Sequence, residues 1–148
     1  MTSRPLVVFL VAGAVMTSCG SAEADVVVSD ARIGQPTGPN AAMYFTATGG
    51  SEPDRLVGAF SEAAASMELH ETTTDEGGVM GMQAVEGLDL PTDGVLVLEP
   101  AGFHLMLVDA RRMEVGETVE VTLVWERAGE IIVTAQVVEP GNTMGHGS

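Results

Sequence analysis

The sequence predicts an all-β domain, a β-sandwich or Greek-key barrel, and three observations carry that prediction. Apolar and polar residues alternate over short stretches, most plainly where Val119, Val121, Leu123 and Trp125 interleave with Thr118, Glu120, Thr122 and Val124. Turn residues punctuate the chain at intervals of about one strand's length. No helical period is sustained beyond a turn or two, near Ser61 to Ala65 or Ala110 to Met113. Many short strands at such spacing build sandwiches and barrels.

Taken in order, the first nineteen residues stand apart from that domain. Met1 to Pro5 carries the single charge Arg4, Leu6 to Met16 is apolar, and Thr17, Ser18 and Cys19 close the segment with small residues. A basic start, a short apolar core and a small-residue exit mark a secretory signal, too short to span a membrane. Ending on Cys19, it resembles a bacterial lipoprotein signal, in which the cysteine is lipidated and becomes the new N-terminus. The expectation is an exported protein, anchored by lipid on the outer face of the cytoplasmic membrane. Ordinary cleavage after Ala24, releasing a soluble protein, is the alternative.

Residues 20–24 form a short tether, and residues 25–138 the folded domain. Val26 to Val28, leading to Ala31 to Ile33, is rich in β-branched residues, and Gln35 to Asn40 is a loop. Ala41 to Ala47 is a second strand, stopped by Gly49 to Asp54. Arg55 to Phe60 and Ser66 to Thr72 follow, and Asp75-Glu76-Gly77-Gly78 turns the chain into Val79 to Ala84. Gly94 to Leu98 is a strand that Pro100-Ala101-Gly102 breaks before Phe103 to Val108. Glu114 to Glu117 turns into Thr118 to Trp125, and Arg127-Ala128-Gly129 connects tightly to Ile131 to Val138. Residues 139–148 are polar and Gly-rich, which predicts a flexible tail, here containing Met144 and His146.

Composition narrows the chemistry. The chain has six arginines, no lysine and 21 acidic residues, and losing Arg4 with the signal leaves five against 21, or −16. Phosphate backbones need clustered Lys and Arg, so nucleic acid is excluded as a partner. Cys19 is the single cysteine, so the mature domain can hold neither an internal disulfide nor a thiolate metal site. Soft-metal chemistry must then come from methionine, whose thioether persists where an exposed thiol would be oxidised.

One pattern answers to that requirement. In Phe103-His104-Leu105-Met106-Leu107-Val108 an imidazole and a thioether lie two residues apart, hence on one face of a strand. Phe103, Leu105 and Leu107 supply the apolar face, so the His104 and Met106 face is expected to be solvated. His70 ends the alternating Met67-Glu68-Leu69-His70, and Met80 and Met82 share a face two residues apart. Singly, a histidine is more often packed and a methionine more often fills a core gap. Jointly, imidazoles beside thioethers on solvent faces have little packing rationale and form a soft donor set that selects Cu(I). No Ser-His-Asp group, zinc-protease His pair or Gly-rich phosphate loop is visible, and the protein reads as a non-enzyme.

From Asn40 to Val138 the chain resembles the PCuAC periplasmic copper chaperones, which deliver copper toward the binuclear copper centre of cytochrome c oxidase. The resemblance runs through Asn40-Ala41-Ala42-Met43-Tyr44, Asp54-Arg55-Leu56-Val57, Met67-Glu68-Leu69-His70-Glu71 and Gly78-Val79-Met80-Gly81-Met82. It continues in Glu99 to Leu107 and in Val121-Thr122-Leu123-Val124-Trp125. The family's ligand pattern is a His, a Met after ten intervening residues, then twenty-one residues to a His-x-Met. Met82 to His104 keeps the twenty-one, whereas His70 to Met82 has eleven, the extra residue falling in the acidic turn. The usual Pro-Gly-Gly before the second His is Pro100-Ala101-Gly102 here.

The resemblance implies a cupredoxin-like Greek-key β-sandwich with Cu(I) held near its surface by His70, Met82, His104 and Met106. Met80 stays open as the alternative to Met82, and Met144 and His146 as an auxiliary pair. It also implies a copper-accepting partner, such as an oxidase subunit or another copper chaperone. Two further classes compete with a carrier. An electron-transfer cupredoxin would need the Cys ligand that the mature domain lacks. A cell-surface β-domain with incidental His and Met would be set apart by metal titration, and an envelope copper buffer stays open as an alternative to delivery.

Overall fold

The alternation seen in the sequence becomes the two faces of a curled sheet. The computed structural model of the protein describes residues 25–141; the signal segment with Cys19, the tether, and Met144 and His146 of the tail lie outside the described residues. Ten strands are formed among them: β1 (Val27–Gly34), β2 (Ala41–Thr48), β3 (Asp54–Phe60), β4 (Ser66–Thr74) and β5 (Met80–Ala84) come first. They are followed by β6 (Leu88–Leu90), β7 (Val95–Leu98), β8 (Phe103–Val108), β9 (Thr118–Trp125) and β10 (Gly129–Val138). The all-β expectation holds, and among the described residues no helix is long and apolar enough to cross a membrane.

Pairing runs β5-β4-β8-β2-β1-β10-β9-β3-β6, with β7 sharing the β2 edge beside β8. The β1–β10 pair is parallel and the other pairs are antiparallel. The path curls until β3 lies against β4, enclosing the core between its two halves. Ile33, Met43, Phe45, Leu56, Leu105, Leu107, Val121, Leu123 and Trp125 are buried there. Each such side chain, fully removed from water, contributes roughly 1.5–3 kcal/mol before the entropy of ordering is set against it.

Irregularities fall where the sheet must bend. In β1 the step from Ser29 to Arg32 faces only two residues of β2, so one residue is extra. Asp30 absorbs the bulge in the left-handed region at φ 54°, a conformation short polar side chains tolerate. Strand β6, absent from the expected elements, is three residues long, with Leu88 and Leu90 buried against β3.

Local devices shape the turns that follow β4 and precede β8. Asp75 closes the β4–β5 hairpin, its Oδ1 accepting the N–H groups of Gly77 and Val79, while Gly78 turns at φ 80°. Five of the eleven residues between His70 and Met82, Asp75 to Val79, lie between the two strands, whose pairs run without a shift from His70–Ala84 to Thr74–Met80. Ahead of β8, Ala101 stands at φ 65° in the Pro100-Ala101-Gly102 turn, where a glycine would be unstrained.

Candidate metal centre

Strand register assembles the donors. On β4, Glu68, His70, Thr72 and Thr74 project outward, and β8 presents His104 and Met106 beside them. His70 lies directly opposite His104, and Glu68 directly opposite Met106, a two-by-two block on one sheet face. Directly opposed residues have Cβ atoms about 4.5–5.5 Å apart. The two imidazole rings are accordingly 5.8 Å apart between centroids. On the far side of β4, Met82 faces Thr72 and Met80 faces Thr74. Met82 is thus a diagonal neighbour of His70, about 7–8 Å away at the backbone and within reach of a long thioether. Met80 is one diagonal step further off.

Met80, Met82, His104 and Met106 line one cleft of about 390 Å³, together with Tyr44 and Thr72 among others. His70 is not among the residues lining the cleft; its ring packs against that of His104. A larger surface hollow of about 710 Å³ lies elsewhere, beside Phe60 and Arg111, and neither His nor Met lines it. Its size carries no chemistry, so the smaller cleft is the candidate. Among the described residues no three His, Cys, Asp or Glu side chains are grouped to hold an ion. Sulfur would have to complete any set, which again selects a soft metal.

One expectation is corrected here. His104 is not on a solvated face: it is only 4% exposed. Strand β8 is interior to the sheet, with β4 on one side and β2 on the other, and the rings of His70 and Tyr44 close over it. Met106 is half-buried, whereas Met80 and Met82 are 63% and 61% exposed. The donors therefore form a gradient, from an enclosed imidazole to thioethers on the surface.

Burial also sets the protonation of His104. Desolvation pushes its pKa below the ordinary histidine value, the Gly102 carbonyl opposes this, and His70 adds a further downward push. His104 Nδ1 donates its proton to that carbonyl at 3.4 Å, leaving Nε2 as a neutral donor. The unfolded chain takes up a proton at this histidine near pH 6.5, which the folded chain resists until lower pH. Stability then rises with pH across that window, because the unfolded state binds more protons. The copper-free domain is expected to melt at lower temperature as pH falls from about 7 to 5.5. Thermal melts of His104→Gln, which cannot titrate there, should show a shallower decline.

Two neighbours escaped the sequence reading. Glu68 stands two residues before His70, a same-face spacing that was readable, and its Oε2 is 2.9 Å from His70 Nε2. Tyr44 walls the cleft 6.3 Å from His104, its hydroxyl held neutral by a pKa raised through burial, which Arg32 partly offsets. It comes from β2, some sixty residues away in sequence, and only the pairing of β2 with β8 brings it there.

Known proteins bear on this arrangement. The copper-bound PCuAC domain from PmoF2 is 28% identical, with TM-score 0.67 over 80% of this chain and 97% of that one. The solution structure of CuI-DR1885 from Deinococcus radiodurans is 34% identical, with TM-score 0.62 over 83% of each chain. The fold is the all-β, cupredoxin-like one of these domains. A curated relative, the "Putative lipoprotein Lxx21020" of Leifsonia xyli subsp. xyli (strain CTCB07), is 38% identical over 88 residues. That match takes in 59% of this chain and 53% of the relative, so the chain spans about half the length of the curated relative it matches. The profile of the family described as "Putative lipoprotein LpqE-like" matches residues 26–137. With that match running through all ten strands, the chain belongs to the LpqE-like family.

Proposed function

We propose that this protein is an exported copper carrier that binds one Cu(I) through His70, Met82, His104 and Met106 and passes it to a copper-requiring acceptor. The observation that carries the reading is that the enclosed His104 and the thioethers of Met80, Met82 and Met106 line a single cleft, with the His70 ring 5.8 Å from that of His104. Two neutral nitrogens and two thioethers suit a soft monovalent ion and give little hold to harder ones. That similar domains are described as copper-bound and CuI-loaded supports the choice of metal. Register favours Met82 over Met80, since Met82 is the nearer diagonal neighbour of His70.

Handover follows from the exposure gradient. An acceptor's donor atoms can reach the thioether side first, while His104 still holds the ion from the enclosed side. The acceptor we assign is a copper protein such as a cytochrome c oxidase subunit or another copper chaperone. Titration of the metal-free domain with Cu(I), against a competing Cu(I) chelator, is expected to give one tightly held ion per chain. Firmer retention of Zn(II) than of Cu(I) would overturn the carrier reading.

Lipid anchoring through Cys19 would keep the carrier beside membrane-embedded acceptors. The family and the curated relative, both described as lipoproteins, support it. Firm anchoring takes two or more acyl signals. The full-length protein is expected in the membrane fraction, and Cys19→Ala in the soluble fraction or unprocessed. A wholly soluble wild type with an unmodified N-terminus would count against the anchor.

A further inference from the structure

Glu68 occupies the fourth corner of the block formed with His70, His104 and Met106, and none of the roles assigned above uses it. Its side chain is half exposed, and its carboxylate meets His70 Nε2 at 2.9 Å. A carboxylate can only accept, so the ring nitrogen facing it carries the proton. In the neutral ring the lone pair then falls on Nδ1. That atom is buried and has no hydrogen-bond partner. A buried acceptor left without a partner is costly, and such atoms in native folds call for a reason. A metal ion is one partner that would satisfy it.

We propose that Glu68 is a positioning residue for copper, fixing His70 as the Nε2–H tautomer so that Nδ1 is presented to Cu(I). The proposal rests on the carrier reading above. Carboxylates that accept from a ligating imidazole fix its orientation and raise its basicity, and their loss costs ten- to a hundredfold in metal affinity. The two histidines then use opposite nitrogens. His104 gives its Nδ1 proton to Gly102 and keeps Nε2 free, whereas His70 gives its Nε2 proton to Glu68 and keeps Nδ1 free.

The test has one arm without copper and one with it. In the copper-free protein at pH 7.5, long-range proton–nitrogen NMR of the His70 ring is expected to show Nε2–H in wild type. Glu68→Ala should show a mixture of tautomers, with an unchanged melting temperature. In chelator competition, Glu68→Ala is expected to lose ten- to a hundredfold in Cu(I) affinity. Glu68→Gln, which keeps an acceptor oxygen, should recover most of that loss. A wild-type ring protonated on Nδ1 would overturn the proposal. So would a Glu68→Ala variant that binds Cu(I) as tightly as wild type or more tightly, since the carboxylate would then be a competitor for Nε2. Wild type failing to take up Cu(I) would instead sink the carrier reading, with the copper role of Glu68 falling alongside it.

Discussion

His104→Ala is expected to weaken Cu(I) binding at least tenfold, a loss of about 1.4 kcal/mol or more, measured by chelator competition. It is also expected to lower the melting temperature of the copper-free domain, because His104 is enclosed and its removal leaves a void beneath Tyr44 and His70. Affinity and stability therefore move together at this position. Met106→Leu separates them. It keeps volume and apolar character and removes only the sulfur, so packing alone predicts a cost below about 1.5 kcal/mol. A tenfold or greater loss of Cu(I) affinity with a melting temperature shifted by only a few degrees is the expected result. Unchanged affinity in both variants would refute the site.

Leu105→Ala is expected to do the reverse, costing about 2–5 kcal/mol in denaturant unfolding while the folded variant keeps its Cu(I) affinity. Leu105 is fully buried between Met43 of β2 and Leu69 of β4, on the opposite side of β8 from His104 and Met106. A methylene-rich side chain lost there leaves a cavity that rigid flanking strands cannot close. An affinity loss at Leu105 as large as that at Met106 would mean that the two faces of β8 are not independent.

Where β-branched and apolar residues alternate with turn chemistry between them, the strands were legible in the sequence. Thr118 to Trp125 emerges as β9 with the same bounds, and Phe103 to Val108 as β8. Strand β6 was not legible, because Leu88-Asp89-Leu90 is too short to establish a period and is flanked by Gly87 and Pro91. The side-chain alternation of β8 correctly separated Leu105 and Leu107 from His104 and Met106. It could not reveal the burial of His104, since a period of two assigns a face and says nothing of what covers it. The cover comes from Tyr44 and His70, on strands 60 and 34 residues distant in sequence. Alternation put Met80 and Met82 on one face of their own strand, but only the Thr72–Met82 and Thr74–Met80 register brings that face beside His70 and ranks the two.

Strand β5 is the last in the pairing path, bonded to β4 alone, and all five of its residues are exposed. Segments with few buried contacts open locally at free energies far below global unfolding, and amide exchange reports them as separate units. Strand β8, held on both sides, belongs to the opposite extreme. Met82 therefore rides on a piece of backbone that can fray while the His70–His104 pair stays in register. With Met82 as the copper ligand proposed above, the lifetime of bound copper would be governed by how often this hairpin breathes as much as by the strength of a copper–sulfur bond. Shortening or stiffening the Asp75 turn would lengthen that lifetime without altering a single donor atom.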